Sequence, residues 1–110
     1  MSTKSYLGEF EQVMLLAILR KGSEAYGVEV RRELERTTGR TVSRGAFYTT
    51  LDRLQSKGLL RWSTRPVEGW RGGRPQRHFE VTDEGIAKLR RSHEALTSLW
   101  RGLEDFEVKP

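Results

Sequence analysis

The chain contains no cysteine and only two histidines, His78 and His93, among its 110 residues. Without cysteine it can form neither a disulfide nor a zinc–thiolate site, and two histidines do not suggest a metal cluster. No apolar run approaches the roughly 20 residues that a membrane-spanning helix needs, and the first twenty residues lack the order of a signal peptide. We therefore expect a cytoplasmic protein with no bound metal, no cofactor and no contact with a membrane.

The sequence also lacks the residue arrangements that are typical of enzymes. No serine stands in a nucleophile elbow, and no glycine-rich loop has the Walker pattern. Neighbouring carboxylates such as Glu104 and Asp105 fall on a charged helix surface, where solvated side chains are common. We assign no catalytic residue and expect a protein that is not an enzyme.

Positive charge is present, and it is concentrated in one segment. The chain has 20 basic and 15 acidic residues and a net charge of +5. Residues 57–79 carry this whole excess, because their only acidic residue, Glu68, stands against six basic ones: Lys57, Arg61, Arg65, Arg71, Arg74 and Arg77. The first hypothesis is a polyanionic partner, and the alternative is a solvated basic loop that binds nothing.

Hydrophobic periodicity predicts three helices in the first half of the chain, over Glu9 to Lys21, about Ala25 to Thr37, and Arg44 to Lys57. The first helix is apolar nearly all round, which in so short a chain indicates burial against a second subunit as well as its own core. The third helix has Ser43 as its N-cap. Its exposed face is small and hydrogen-bonding, as suits a helix that lies closely against another surface.

A hairpin follows, with strands over Leu59 to Ser63 and Gln76 to Val81 and a glycine- and proline-rich tip between them. On the second strand, His78 and Glu80 share one face, and Phe79 and Val81 share the other.

The last helix begins after Thr82, which is a good N-cap. Its apolar residues recur at steps of three and four, and His93 is in phase with them, which is typical of a coiled-coil seam. The seam spans about 24 residues, or about 35 Å at 1.5 Å per residue. We predict a dimer whose contacts are Phe10, Met14, Ile86, Leu89, His93, Leu96, Trp100 and Leu103.

Three helices followed by a hairpin make a winged helix. We therefore predict a mainly α fold with a β-hairpin, in which a winged helix-turn-helix is extended by a long C-terminal dimerisation helix. Residues 1–81 would form the DNA-binding domain and residues 82–110 the dimerisation helix and tail, within one compact unit.

Four segments resemble, in order and spacing, the PadR family of winged-helix transcriptional regulators, and specifically its small subclass. They are LGEFEQVMLLAIL (Leu7 to Leu19), AYGVEVRRELE (Ala25 to Glu35), AFYTTLDRLQSKGLL (Ala46 to Leu60) and GGRPQRHFEVTDEG (Gly72 to Gly85). The resemblance implies a homodimeric repressor that binds double-stranded DNA at an inverted repeat. It also implies possible release by a small aromatic or hydrophobic effector. In ligand-binding relatives an aromatic residue of the last helix sandwiches flat molecules. Leu96, which is not aromatic, stands at that position here, and Trp100 follows one turn later. This pair is the candidate pocket, and the alternative is that Trp100 packs within the seam.

The predicted DNA contacts lie on the third helix and on the hairpin. In helix-turn-helix proteins the N-terminal part of this helix reaches base edges, which selects Ser43, Arg44, Gly45, Tyr48 and Thr49, with Arg53 as a further phosphate contact. On the wing we select Arg71, Arg74 and Arg77.

The roles of three of these residues have alternatives. Tyr48 matches the tyrosine of the family's YxxL pattern, and it either contacts DNA or covers the core from the side. Arg44 either reads guanine or neutralises a phosphate. Arg74 is the one candidate for minor-groove insertion, and Arg71 and Arg77 are assigned to phosphates.

Two other functions stay open at this stage. The chain could be a winged-helix module that binds a protein and not DNA, although the basic wing argues against that reading. It could also be an RNA-binding winged helix, which would prefer structured RNA over duplex DNA.

Overall fold

The computed structural model describes residues 7–66 and 74–106. The elements in chain order are α1 (Glu9–Lys21), α2 (Gly27–Thr38), α3 (Arg44–Ser56), β1 (Leu60–Pro66), β2 (Pro75–Val81) and α4 (Asp83–Trp100). The two strands form one antiparallel hairpin. This is the winged-helix arrangement predicted from the sequence, with its helix after the wing, so the predicted fold class is confirmed.

The core lies between the three N-terminal helices and the hairpin. Its largest fully buried side chains come from all of these elements: Met14, Leu15, Ile18, Val30, Leu34, Phe47, Leu51, Leu54, Leu59, Leu60 and Phe79. α1 has the bounds predicted for it, and its apolar circumference is divided between this core and solvent. Leu16 and Leu19 remain exposed, while the neighbouring Leu15 and Ile18 are buried.

α2 begins at Gly27, two residues later than the sequence pattern predicts. The cause is a contact with the hairpin. The backbone N–H of Phe79 donates to the carbonyl oxygen of Ala25 at 2.9 Å, and Tyr26 forms an isolated antiparallel bridge with His78. Because the backbone of these residues pairs with β2, the chain crosses from α1 through a short 3-10 turn, Gly22–Glu24, before α2 starts.

The hairpin register separates its side chains onto two faces. Arg61 pairs across the strands with Glu80, and Trp62 pairs with Phe79. Because side chains alternate along a strand, the partners of Arg61 and those of Trp62 lie on opposite faces. The structure therefore assigns the faces of β2 as the sequence analysis does, and both strands extend further toward the tip than predicted.

α4 begins as predicted, because the Thr82 hydroxyl oxygen accepts the backbone N–H of Gly85 at 3.1 Å. It ends at Trp100, earlier than the predicted seam, and a left-handed glycine, Gly102 at φ 89°, follows. Leu103 therefore lies beyond the helix. In the part of the chain that the structure describes, no helix is both long and apolar enough to cross a membrane.

Candidate nucleic-acid interface

An open cleft of about 710 Å³ separates α3 from the hairpin. It brings together residues of the third helix, the start of α2 and the second strand, which are far apart in sequence. Its lining residues are Gly27, Val28, Arg44, Gly45, Tyr48, Asp52, Thr64, Pro75, Gln76 and Arg77. Four of the predicted contacts therefore share one surface: Arg44, Gly45 and Tyr48 of the helix and Arg77 of the wing.

The orientation of α3 follows from its local sequence. The Ser43 hydroxyl oxygen accepts the backbone N–H of Ala46 at 3.1 Å, which fixes the start of the helix as predicted. Phe47, Leu51 and Leu54 are buried on one side. The opposite side, including the predicted contacts Arg44, Gly45 and Thr49, is exposed to solvent.

Tyr48 lies at the junction of the core and the cleft. Its half-buried ring packs edge-on against Phe47, with ring centres 5.1 Å apart and an interplanar angle of 88°. The guanidinium of Arg44 lies over the same ring, 5.5 Å from its centre. The two sequence-based alternatives are thus compatible, because the ring covers the core while the residue lines the cleft.

Among the described residues, Asp52 is the one acidic side chain that lines this cleft. It stands two helical turns after Arg44, in the C-terminal half of α3. Because its carboxylate would repel a phosphate backbone, the electrostatics favour an anion near the N-terminal half of the helix.

Trp62 connects the wing to α3. Its indole N–H donates to the side-chain oxygen of Gln55 on α3 at 2.9 Å. The guanidinium of Arg77 lies over the indole, 4.4 Å from the ring centre. Arg74, the residue directly before β2, is exposed. Arg71, the third predicted wing contact, lies outside the described residues.

Arg61 and Arg65 lie on the opposite face of the hairpin. There they line a second cleft of about 400 Å³, together with the end of α1 and with His78. Arg61 Nε is 3.0 Å and Arg65 Nη2 is 3.9 Å from the carboxylate of Glu80. The hydrogen bond from Arg61 is the main cause that holds the pKa of Glu80 below its ordinary value. The basic residues of the hairpin are therefore divided, and this half is partly neutralised.

Arg53 lies beside Glu11 and does not line the α3–hairpin cleft. Its Nη1 atom is 3.8 Å from the Glu11 carboxylate, which also accepts a hydrogen bond from Lys57 Nζ at 2.9 Å. Burial opposes ionisation of Glu11, but the bonds from Lys57 and from the Gly8 backbone, together with both basic charges, hold its pKa below the ordinary value. Arg53 thus helps to join α3 to α1, which the sequence pattern did not indicate.

Two of the predicted dimer contacts need correction. Met14 has no exposed surface and Leu89 is almost completely buried, so both pack in the chain's own core rather than on a free face. Phe10 and Ile86 are half-buried, and His93 is exposed.

An exposed apolar surface covers the end of α4 and the turn after it. We call it the α4 apolar end, and it comprises Leu96, Leu99, Trp100, Leu103 and Phe106. Leu99 and Phe106, which are 73% and 77% exposed, were not among the predicted contacts because they do not share the predicted seam. The side of α4 that packs on its own chain comprises Gly85, Leu89 and Ser92, of which only Leu89 belongs to that seam.

The predicted effector residues Leu96 and Trp100 are neighbours on this apolar end. Both are more than half exposed, and neither lines the two clefts described above. A separate apolar cavity of about 260 Å³ lies between α1 and α2. Among the described residues, no cluster of His, Asp or Glu has the arrangement that a metal ion requires.

Glu33 is one of the residues that line the α1–α2 cavity. Its carboxylate accepts hydrogen bonds from Arg36 at 2.7 Å, Arg20 at 2.8 Å and Thr37 at 3.1 Å. These bonds, with that of Arg36 the largest cause, lower the pKa of Glu33 to about 2. This cluster of Glu33 with Arg20, Arg36 and Thr37 joins α1 to α2, and no sequence motif predicted it.

Comparison with known proteins is consistent with this geometry. Residues 15–91 match the family described as the transcriptional regulator PadR-like family. The chain is 38% identical over 79 residues to Transcriptional regulator Rv3488 of Mycobacterium tuberculosis, covering 72% of this chain and 69% of that protein.

Solved structures with the same fold include two PadR-like proteins. One is a PadR-like transcriptional regulator from Bacillus cereus, with a TM-score of 0.68, 23% identity, and coverage of 89% of this chain and 93% of that one. The other is a PadR-like transcription factor from Bacteroides fragilis, with a TM-score of 0.66, 23% identity and coverage of 86% of both chains.

Proposed function

Because this chain belongs to the PadR-like family of transcriptional regulators, which bind DNA and are not enzymes, we propose that it is a homodimeric repressor. It binds an inverted-repeat operator in double-stranded DNA. The cleft between α3 and the hairpin is the surface that engages one half-site.

The observation that carries this proposal is the shared position of two kinds of side chain. The exposed face of α3 is small and hydrogen-bonding around Gly45 and Thr49, which allows a close approach to base edges. Arg77 lines the same cleft from the hairpin. In winged-helix proteins a helix in the major groove commonly reads the base sequence. Arginines that contact the flanking phosphate backbone position the protein on the DNA.

Three of the predicted contacts have distinct roles in this arrangement. Arg44 neutralises a phosphate or pairs with a guanine at the N-terminal end of α3. Tyr48 donates its hydroxyl to a phosphate or packs on a thymine methyl. Arg74, exposed at the wing, is the candidate for the minor groove, where a narrow groove attracts arginine.

A second copy of the chain covers the α4 apolar end. So many neighbouring exposed apolar side chains are typical of an interaction surface. The exposed Leu16 and Leu19 of α1 offer further apolar area for the same contact. A twofold dimer would place the two α3 helices about 34 Å apart, one turn of DNA. A flat effector held between the Leu96 and Trp100 side chains of two copies would change that spacing and release the operator.

The test is selection of bound duplexes from a random pool, followed by titration of the selected duplex, a scrambled duplex and a structured RNA over a series of salt concentrations. We expect tight binding of the selected duplex that weakens steeply with salt. A preference for the RNA, or no preference between the two duplexes, would overturn the proposal.

A further inference from the structure

Gly27 is the first residue of α2, and it lies against the Tyr48 hydroxyl in the α3–hairpin cleft. A Cβ atom added at Gly27 would lie 2.6 Å from the Tyr48 oxygen and 3.6 Å from Cζ of the same ring. Non-bonded carbon and oxygen atoms do not approach to 2.6 Å. The hydroxyl therefore occupies the space that any side chain at residue 27 would need.

The backbone gives no other reason for a glycine at this position. The glycines with positive φ in the described part of the chain are Gly22, Gly39, Gly58 and Gly102, and Gly27 is not among them. An alanine would fit the backbone there, and alanine is favoured over glycine within a helix. Residue 27 must therefore have no side chain, because Tyr48 fills the space that a side chain would occupy.

We propose that Gly27 is a positioning residue that fixes the Tyr48 hydroxyl in the DNA-binding cleft. The T-shaped contact with Phe47 and the guanidinium of Arg44 also hold the ring. Because Gly27 has no side chain, the Tyr48 oxygen can lie directly against the start of α2. A hydroxyl held in this way loses little freedom when it meets a phosphate, whereas a displaced ring must be reordered.

The effect on DNA rests on the proposed function, but the position of the ring does not. Gly27→Ala would push the oxygen away from α2, because the terminal atom of a side chain yields more easily than the backbone. The contact with Arg44 would change at the same time. We therefore expect the variant to fold and to hold Tyr48 in a different place.

The first measurement is a double-mutant cycle of affinity for the selected duplex, using the wild type, Gly27→Ala, Tyr48→Phe and the double variant. Each single change should weaken binding about tenfold, as expected for a lost hydrogen bond to a charged group. The double variant should bind no more weakly than Tyr48→Phe alone, because the oxygen is absent and Cζ at 3.6 Å is in ordinary contact. Additive losses, or wild-type affinity in Gly27→Ala, would overturn the proposal.

The second measurement needs no DNA. In the free protein, the NMR signals of the labelled Tyr48 ring should move in Gly27→Ala, and contacts between the ring and the Gly27 Hα protons should be visible in the wild type. Unmoved ring signals would contradict the positioning role. If the wild type fails to bind any duplex, the proposed function fails while this measurement still decides the role of Gly27.

Gly8→Ala is the matched control. Gly8 is the N-cap of α1, outside the cleft, and an added Cβ would lie 4.0 Å from the nearest atom, Oε1 of Glu11. Neither duplex affinity nor the Tyr48 signals should change. Equal changes in both glycine variants would show that the effect is not local and would overturn the proposal.

Discussion

The guanidinium of Arg77 lies over the indole of Trp62, 4.4 Å from the ring centre. The same indole donates its N–H to Gln55 on α3. An arginine of the wing is thereby held at a fixed distance from the helix proposed to read bases. We infer that Trp62 acts on DNA binding through Arg77 and not through a contact of its own.

This arrangement predicts different effects for the two side chains. Arg77→Ala should weaken duplex binding and reduce the slope of log K against log salt by about 0.9, the value for one lost phosphate contact. Trp62→Leu should weaken binding about twofold to fivefold, since a cation–π contact contributes about 0.5–1 kcal/mol at an exposed site. Its salt slope should stay at the wild-type value because the charge remains. Fluorescence anisotropy over a salt series measures both quantities.

Arg61→Ala is the control for this pair. It removes the same charge from the same hairpin, but from the face where Arg61 pairs with Glu80. The slope should change far less than in Arg77→Ala. Equal salt slopes in the two arginine variants would mean that both faces of the hairpin contribute equally to DNA binding, which would contradict the assignment of Arg77 to the DNA-binding face.

The two faces of the hairpin show which structural features can be predicted from the sequence. The helix starts at Ser43 and Thr82 were predictable because a capping hydroxyl needs only its own neighbours in sequence. The alternation on β2 was predictable for the same reason. The stacking of Arg77 on Trp62 was not, because it depends on the cross-strand register, which is set by two segments that meet only in the folded chain.

Gly85 is predicted to be essential for the attachment of α4. A Cβ at this position would collide with the carbonyl oxygen of Leu59 and with the side chain of Val81. Because a backbone atom cannot move aside easily, Gly85→Ala should lower the free energy of unfolding by about 1–3 kcal/mol, as overpacking does. Urea denaturation measures the loss. Gly45→Ala, which has open space around its Cβ, should cause no loss, and an equal loss there would refute the steric explanation.

The lowered pKa of Glu33 predicts how the stability of the fold depends on pH. Its pKa is lowered from 4.5 to about 2 in the folded chain, chiefly by Arg36 and then Arg20. The stabilisation from this carboxylate is therefore fully present above pH 4.5 and is lost as the pH falls toward 2. Glu33→Gln should lower the melting temperature at neutral pH and flatten its decline over that interval. A decline as steep as that of the wild type would contradict the assignment, and Glu94→Gln on the exposed side of α4 is the control.

We predict that the chain forms a dimer through the α4 apolar end. Trp100→Glu places a charge where a second copy would pack, and burial of an unpaired charge is unfavourable. Sedimentation velocity should show a dimer for the wild type and a monomer for this variant. Arg91→Glu, on another side of the same helix, should remain a dimer. A dimer that persists in Trp100→Glu would remove α4 from the interface.

The proposed dimer surface also shows why the sequence pattern was partly misleading. A heptad-like pattern places apolar residues on a helix but does not say which of them the chain's own core will cover. Met14 and Leu89 are covered by that core, whereas Leu99 and Phe106 are left exposed. Similarly, α2 starts late because Ala25 and Tyr26 pair with β2, a tertiary contact that no local signal specifies.

We propose that duplex DNA binds between α3 and the hairpin, on the face of Arg77 and not on the face of Arg61. Backbone amide NMR of the labelled protein, recorded with and without the selected duplex, tests it most directly. We expect the largest shift changes at residues 27–28, 44–52 and 74–77. If the largest changes fall at residues 18–23, 61, 65 and 78–81, DNA binds on the opposite face of the hairpin and the proposed interface is wrong.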